Sequence, residues 1–154
     1  MKARTLLAPL AVAGAVLAAS SFTATTAQAQ NCNHTIGSIL SLTGAYGTFG
    51  VPISRVAELA VSQVNEARAN MGVGCELKYE VRDSQTQPTV AVDAAQKLID
   101  IEGVQAIVGP ISSGITGPLL TSVTVQKGAV VIATASTSTT FTNMAREGKT
   151  KGLF

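Results

Sequence analysis

Three features of the sequence predict an α/β fold, a three-layer sandwich around a parallel sheet of strand order 2-1-3-4. Strand-like and helix-like segments alternate from residue 35 onward, which is the pattern of a parallel sheet crossed by helices on both faces. Only the second strand segment alternates apolar and charged residues strictly, so it belongs at an edge. Loops rich in Gly, Ser and Thr follow the first, third and fourth strand segments. They therefore gather at the carboxyl ends of the strands, where open α/β sheets bind ligands at the switch in winding.

Taken in order, "TIGSILSL" (Thr35–Leu42) is a short, mostly apolar run suited to a buried parallel strand. The glycine-spaced loop "TGAYGTFG" follows, and then "VPISRVAELAVSQVNEARAN" places Ile53, Val56, Ala60, Val64 and Ala67 at helical spacing. Pro52 suits the first turn of that helix. "CELKYEVRD" sets Cys75, Leu77, Tyr79 and Val81 on one side and Glu76, Lys78, Glu80 and Arg82 on the other. A second helix is expected over Pro88–Glu102, with Ala91, Ala94, Ala95, Leu98 and Ile101 inward. "VQAIVG" (Val104–Gly109) is the third strand, Gly114–Lys127 the third helix and "AVVIA" (Ala129–Ala133) the fourth strand. From Thr139 the chain enters another helix.

The first residues have a different origin. "MKARTLLAPLAVAGAVLAASSFTATTAQAQ" has a positive start, an apolar run from Leu6 to Ala19 and then "AQA". This is the pattern of a secretory signal peptide, residues 1–29, with cleavage after Ala29. Its apolar run is shorter than the ~20 residues of a spanning helix. The expected domain is then 30–154, in a protein exported to the periplasm. Hydrophobic residues make up 46% and charged residues 13% of the chain, which marks a core-forming globular chain. The net charge is +2, and Lys2 and Arg4 of the leader account for it. With no basic, aromatic-interleaved patch, nucleic acid is not an expected partner.

Export also bears on Cys32 and Cys75. Two cysteines in an oxidising compartment suggest a disulfide. Cys32 precedes the first strand and Cys75 opens the second, so neighbouring parallel strands bring them to the same end of the sheet, roughly 5 Å apart. The bridge would lie opposite the ligand end and be structural. With His34 the single histidine, a zinc site lacks ligands, and no metal or cofactor is expected.

At the ligand end, Ser112, Ser113 and Gly114 stand where "GPISSGITG" leads into a helix. Backbone N–H groups and hydroxyls there suit a carboxylate, although a serine at this position also suits simple helix capping. Tyr46 and Phe49 share one glycine loop and can form a wall for a ligand side chain. Gly44, Gly47 and Gly50 have neither the dinucleotide nor the P-loop spacing. "GPISSG" is not a nucleophile elbow, His34 lies at the wrong end to serve Ser113 as a base, and Asp83 has no catalytic partner. No catalytic residue is expected, and the chain is not read as an enzyme.

The ordered set "IGSILSLTGAYGTFG", "AELAVSQVNEA", "DSQTQP", "AAQKLI", "AIVGPISSG" and "VVIATASTS" resembles the N-terminal lobe of the leucine/isoleucine/valine-binding protein family. These are type I periplasmic solute-binding proteins of ABC importers, which close two lobes over an amino acid. The resemblance implies that Ser113 holds the ligand carboxylate and that the Ala135 carbonyl receives its ammonium. It also implies that Thr137 engages both ends, and that Phe49 stands where many members carry tyrosine. The implied partners are a small-molecule ligand, an amino acid above all, and an ABC importer permease in the inner membrane. Relatives with this lobe also take urea, short amides or aromatic acids, and the same fold serves as the sensing domain of signalling receptors. Ala45 and Thr134 replace prolines common in the family, and "ANMGVG" departs from its usual double-glycine turn. "KGLF" resembles the start of the strand that crosses to the second lobe. A chain ending there would be truncated, with the second lobe absent, and would bind weakly or not at all by itself.

Overall fold

The computed structural model describes residues 34–154. The expected signal peptide and Cys32 lie outside the described residues. The elements are β1 (His34–Leu40), α1 (Gly47–Asn70), β2 (Leu77–Asp83), α2 (Pro88–Asp100), β3 (Ala106–Val108), α3 (Ser113–Leu119), a π-helical stretch (Leu120–Thr124), α4 (Val125–Lys127), β4 (Val130–Ile132) and α5 (Thr139–Arg146). The four strands form one parallel sheet in the order β2-β1-β3-β4. This is the order that the alternation of β2 predicted.

The main core lies on one face of this sheet. Ile39, Ile107 and Val131 pack there with Ala91, Ala94, Ala95 and Leu98 of α2, and with Ile115, Leu119, Leu120 and Val123 of the third helical segment. Each fully buried aliphatic side chain of this kind contributes about 1.5–3 kcal/mol over its exposed state. Gly37 lets α2 approach: a β-carbon there would lie 2.9 Å from Val104 and 3.1 Å from Leu98. Ile101, expected inward, is 78% exposed because α2 ends one residue before it.

Helix α1 covers the opposite face, over β1 and β2, but not with the expected side chains. Gly50 and Ser54 are its buried residues, and Ala57, Val61, Asn65 and Arg68 continue that inward line half-buried. Val56 and Val64 face solvent, so the helix is turned by about one position from its apolar stripe. Polar anchoring explains the turn. Asn65 donates to the Leu77 carbonyl (2.9 Å) and accepts from the Leu77 N–H (2.8 Å), while Arg68 donates to the Cys75 carbonyl (2.9 Å). These bonds satisfy the backbone at the start of an edge strand, where unpaired groups are costly. Among the described residues nothing covers the same face of β3 and β4, where Ile132 is 60% exposed. The expected second helical layer is therefore half complete.

The third helix is also broken where one continuous segment was expected. Pro118 sits within it and lacks the N–H to continue the ladder. The next residues, Leu120–Thr124, take π-helical bonding before α4 ends at Gly128 in the left-handed conformation.

Candidate ligand site at the carboxyl ends of the strands

Three segments converge beyond the ends of β1, β3 and β4. Tyr46, Phe49, Ile111, Ser112, Ser113, Gly114, Ala135 and Thr137 line one open concavity of about 420 Å³. All seven residues that the sequence suggested for the ligand are in this set, and Ile111 joins them. Its size falls in the range of small-molecule sites, about 300–1,000 Å³. A larger hollow of about 510 Å³ runs between α1 and β2, lined by Glu58, Asn65, Glu76 and Tyr79 among others. That hollow follows the flank of the edge strand and gathers none of the glycine- and hydroxyl-rich loops.

Phe49 is not in a loop as expected; it stands in the first turn of α1, which begins at Gly47. The early start follows from close packing. The Phe49 and Gly50 N–H groups both donate to the Tyr46 carbonyl at 3.0 Å, and a β-carbon on Gly50 would lie 1.9 Å from the Ser41 carbonyl oxygen. Only glycine lets α1 begin this close to β1. Pro52 consequently sits inside the helix, later than its expected place in the first turn. Phe49 remains 60% exposed and Tyr46 39% exposed, so both rings present free surface.

The serines do not cap α3 through their side chains. Ser112 takes the N-cap position without a side-chain hydrogen bond; its carbonyl receives the Ile115 and Thr116 N–H groups at 3.0 Å. The Ser113 hydroxyl instead accepts from the Ser138 N–H at 3.3 Å. A hydroxyl has one proton to give, and among the described residues no hydrogen bond uses that of Ser113. The site thus has a half-buried donor with its oxygen already engaged.

The segment after β4 is held from below. Thr116 is fully buried, and its hydroxyl donates to the Ser112 carbonyl at 3.1 Å. Its proton being spent, the 2.6 Å contact with the Ser136 hydroxyl is one in which Ser136 donates. Ser136 therefore turns inward while Ala135 and Thr137, on either side, stay exposed at the concavity. Backbone bonds from Gly109 N–H to the Ile132 carbonyl (2.8 Å) and Thr134 N–H to the Pro110 carbonyl (3.3 Å) tie the same two loops. Ser138 caps α5, accepting from the Thr140 N–H at 3.3 Å, which marks where the Ser/Thr run changes from site wall to helix. Thr116 was not singled out in the sequence, since a lone threonine inside an expected helix carries no visible signal.

Asp83 also turns out to have partners at this end. Its carboxylate accepts from the N–H groups of Leu42 (2.9 Å), Thr43 (3.2 Å) and Gln85 (2.8 Å), and from the Thr43 hydroxyl (2.6 Å). Partial burial pushes its pKa up, but these bonds outweigh burial and hold the carboxyl below its usual value.

A parallel sheet in the order β2-β1-β3-β4, with an open concavity at its switch in winding lined by hydroxyls and aromatic rings, is the fold of a type I periplasmic binding protein lobe. The chain belongs to the periplasmic binding protein family, whose sequence profile matches residues 34–150. It is 30% identical over 104 residues to the Leu/Ile/Val-binding protein BraC3 of Rhizobium johnstonii, covering 68% of this chain and 27% of that protein. It is 32% identical over 120 residues to the chemotactic signal transduction system substrate-binding protein BasB of Halobacterium salinarum, covering 77% of this chain and 28% of the relative. Among solved structures, the branched-chain amino acid transporter substrate-binding protein LivJ of Streptococcus pneumoniae, in complex with isoleucine, superposes with a TM-score of 0.65. The identity is 25%, over 72% of this chain and 31% of that one. The chain thus spans less than a third of the length of these relatives.

Proposed function

We propose that this chain is the amino-terminal lobe of an exported receptor that binds an amino acid, branched-chain or similar, for an ABC importer. The observation that carries the reading is the joining of Ser112–Gly114, Ala135–Thr137 and the Tyr46–Phe49 wall around one concavity. The free proton of Ser113 and the N–H groups of Ser113 and Gly114 at the start of α3 suit the ligand carboxylate. Ala135 and Thr137 are exposed at the concavity, where a backbone carbonyl and a hydroxyl suit an ammonium. Tyr46 and Phe49 offer apolar area to a side chain. An opposing lobe would close over the ligand and complete these contacts, so selection depends on closure and no bond is made or broken. Residues 1–29 act in this reading as a cleavable export signal.

A thermal-shift panel on this lobe joined to an opposing lobe tests the proposal: leucine, isoleucine, valine, polar amino acids, urea, short amides and aromatic acids. Concentration-dependent stabilisation by amino acids is expected, since a ligand that binds only the folded state raises its stability. Ser113→Ala should reduce the shift without lowering the ligand-free melting temperature by more than a few degrees. Stabilisation by urea or aromatic acids alone would redirect the ligand class, and no response to any compound would count against the reading. The similarity to BasB favours one second reading, a receptor that presents its ligand to a signalling protein. Ligand-dependent retention on a chemoreceptor ectodomain, without retention on a permease, would select it.

A further inference from the structure

We infer that Asp83, seconded by Thr86, is a positioning residue for the aromatic wall, clamping the β1–α1 loop so that Tyr46 and Phe49 stand over Ser112–Gly114. The inference rests on the proposed amino-acid site for its purpose, but on separate contacts for its substance. Asp83 ends the edge strand β2 and does not itself line the concavity. Its four hydrogen bonds reach Leu42, Thr43 and Gln85, the chain segments on either side of the loop's base. Thr86 completes the clamp from the next turn. Its hydroxyl accepts from the Tyr46 N–H at 3.2 Å and donates to the Thr43 carbonyl at 3.3 Å. Tyr46 is in turn the carbonyl on which the first turn of α1, bearing Phe49, is built.

Two features show that this contact is selected over easier alternatives. Gln85 and Thr86 have φ of 52° and 58°, a conformation costly for any side-chain-bearing residue and most of all for a β-branched one. The turn is kept in it by Asp83 and by the bond from the Thr86 N–H to the Ser84 hydroxyl (3.4 Å). Gly44, at φ +77°, meets this turn so closely that a β-carbon would lie 2.5 Å from the Gln85 carbonyl oxygen. The loop carrying Tyr46 is therefore fitted to the strained turn, and the strain has a structural use. No charged partner is needed: the carboxylate is satisfied by N–H and hydroxyl donors, a geometry that fixes a loop by direction as well as by charge.

The test is amide hydrogen exchange and ligand titration on the full chain with Asp83→Ala, Asp83→Asn and Thr86→Val. Asp83→Ala is expected to speed exchange at Leu42, Thr43, Gln85 and Tyr46 by about tenfold or more, leaving β3, β4 and α2 protected as before. Asp83→Asn, which keeps an acceptor for the N–H groups, should fall between wild type and alanine, and Thr86→Val should expose Tyr46 alone. Where the wild type binds leucine or isoleucine, affinity should follow the same order. Unchanged loop protection in Asp83→Ala, or affinity indifferent to a loosened loop, would overturn the inference. If Asp83→Ala does not fold, the Asn and Val variants decide by the same readouts. A wild type that binds no amino acid even when joined to an opposing lobe would defeat the proposed function, while the exchange pattern would still decide whether the clamp exists.

Discussion

Replacing Thr116 by valine removes one hydroxyl from a fully buried position with almost no change in shape. The Ser112 carbonyl keeps two backbone N–H donors, so it is not orphaned. Ser136 loses the acceptor 2.6 Å away, and its half-buried hydroxyl must turn to solvent or stay unpaired. Leaving a buried polar group unsatisfied costs about 1–3 kcal/mol, and partial exposure places this case near about 1 kcal/mol. For a domain of this size that is a fall in melting temperature of about 3–6 °C. Urea unfolding followed by circular dichroism measures it, with the slope of the transition expected to stay constant. Thr116→Ser, which restores the hydroxyl, should recover most of the polar contribution. Because Ser136 lies between Ala135 and Thr137, the valine variant should also weaken ligand binding several-fold more than its stability loss accounts for. A valine variant as stable as wild type, with unchanged ligand response, would refute the claim that this bond holds the site wall.

Other consequences are open to direct measurement. Asp83 has a folded-state pKa below its unfolded value, so its contribution to stability is complete above the ordinary carboxylate range and is lost as pH falls through the lowered value. Urea midpoints of wild type should therefore drop more than those of Asp83→Asn between about pH 5 and pH 2.5. Gly50→Ala would drive a methyl into the Ser41 carbonyl and should destabilise by about 3 kcal/mol in chemical unfolding, the upper range of overpacking costs. The sequence predicts a bridge between Cys32 and Cys75, and among the described residues no cysteine is free. If these two are bridged, reduction should lower stability by about 3–4 kcal/mol; an unchanged unfolding curve in reductant, with two titratable thiols in the denatured oxidised protein, would exclude the bridge.

The strand order was legible because one segment, Leu77–Asp83, alternates in sequence while the others do not, and an edge strand is what such alternation means. The positions lining the concavity were legible for the same reason: once the strands are placed, the loops after them can go to only one end. What sequence could not show is the orientation of α1. Apolar residues occur around much of that helix, and its inward face is chosen by Asn65, Arg68 and Gly50, whose partners are backbone atoms of other elements. The helix containing Pro118 kept its apolar spacing across the break, which concealed the change to π-helical bonding. Asp83 closes the segment that the sequence marks as the second strand, where no catalytic partner was visible for it. Its partners, Leu42 and Thr43, become neighbours only when β1 and β2 pair. Thr116 and Ser136 meet only in the folded protein, from positions that composition alone does not distinguish from a cap and a linker.

The most direct test of the amino-acid site is a set of ¹⁵N–¹H correlation spectra of the chain, joined to an opposing lobe and titrated with isoleucine and with its analogues lacking the amino or the carboxyl group. Shifts should appear at Ser112–Gly114, Ala135–Thr137 and the Tyr46–Phe49 turn, with the carboxyl-free analogue losing those at Ser113 and Gly114 and the amine-free analogue losing those at Ala135 and Thr137. Shifts at the hollow between α1 and β2, or none at all three segments up to saturating ligand, would contradict it.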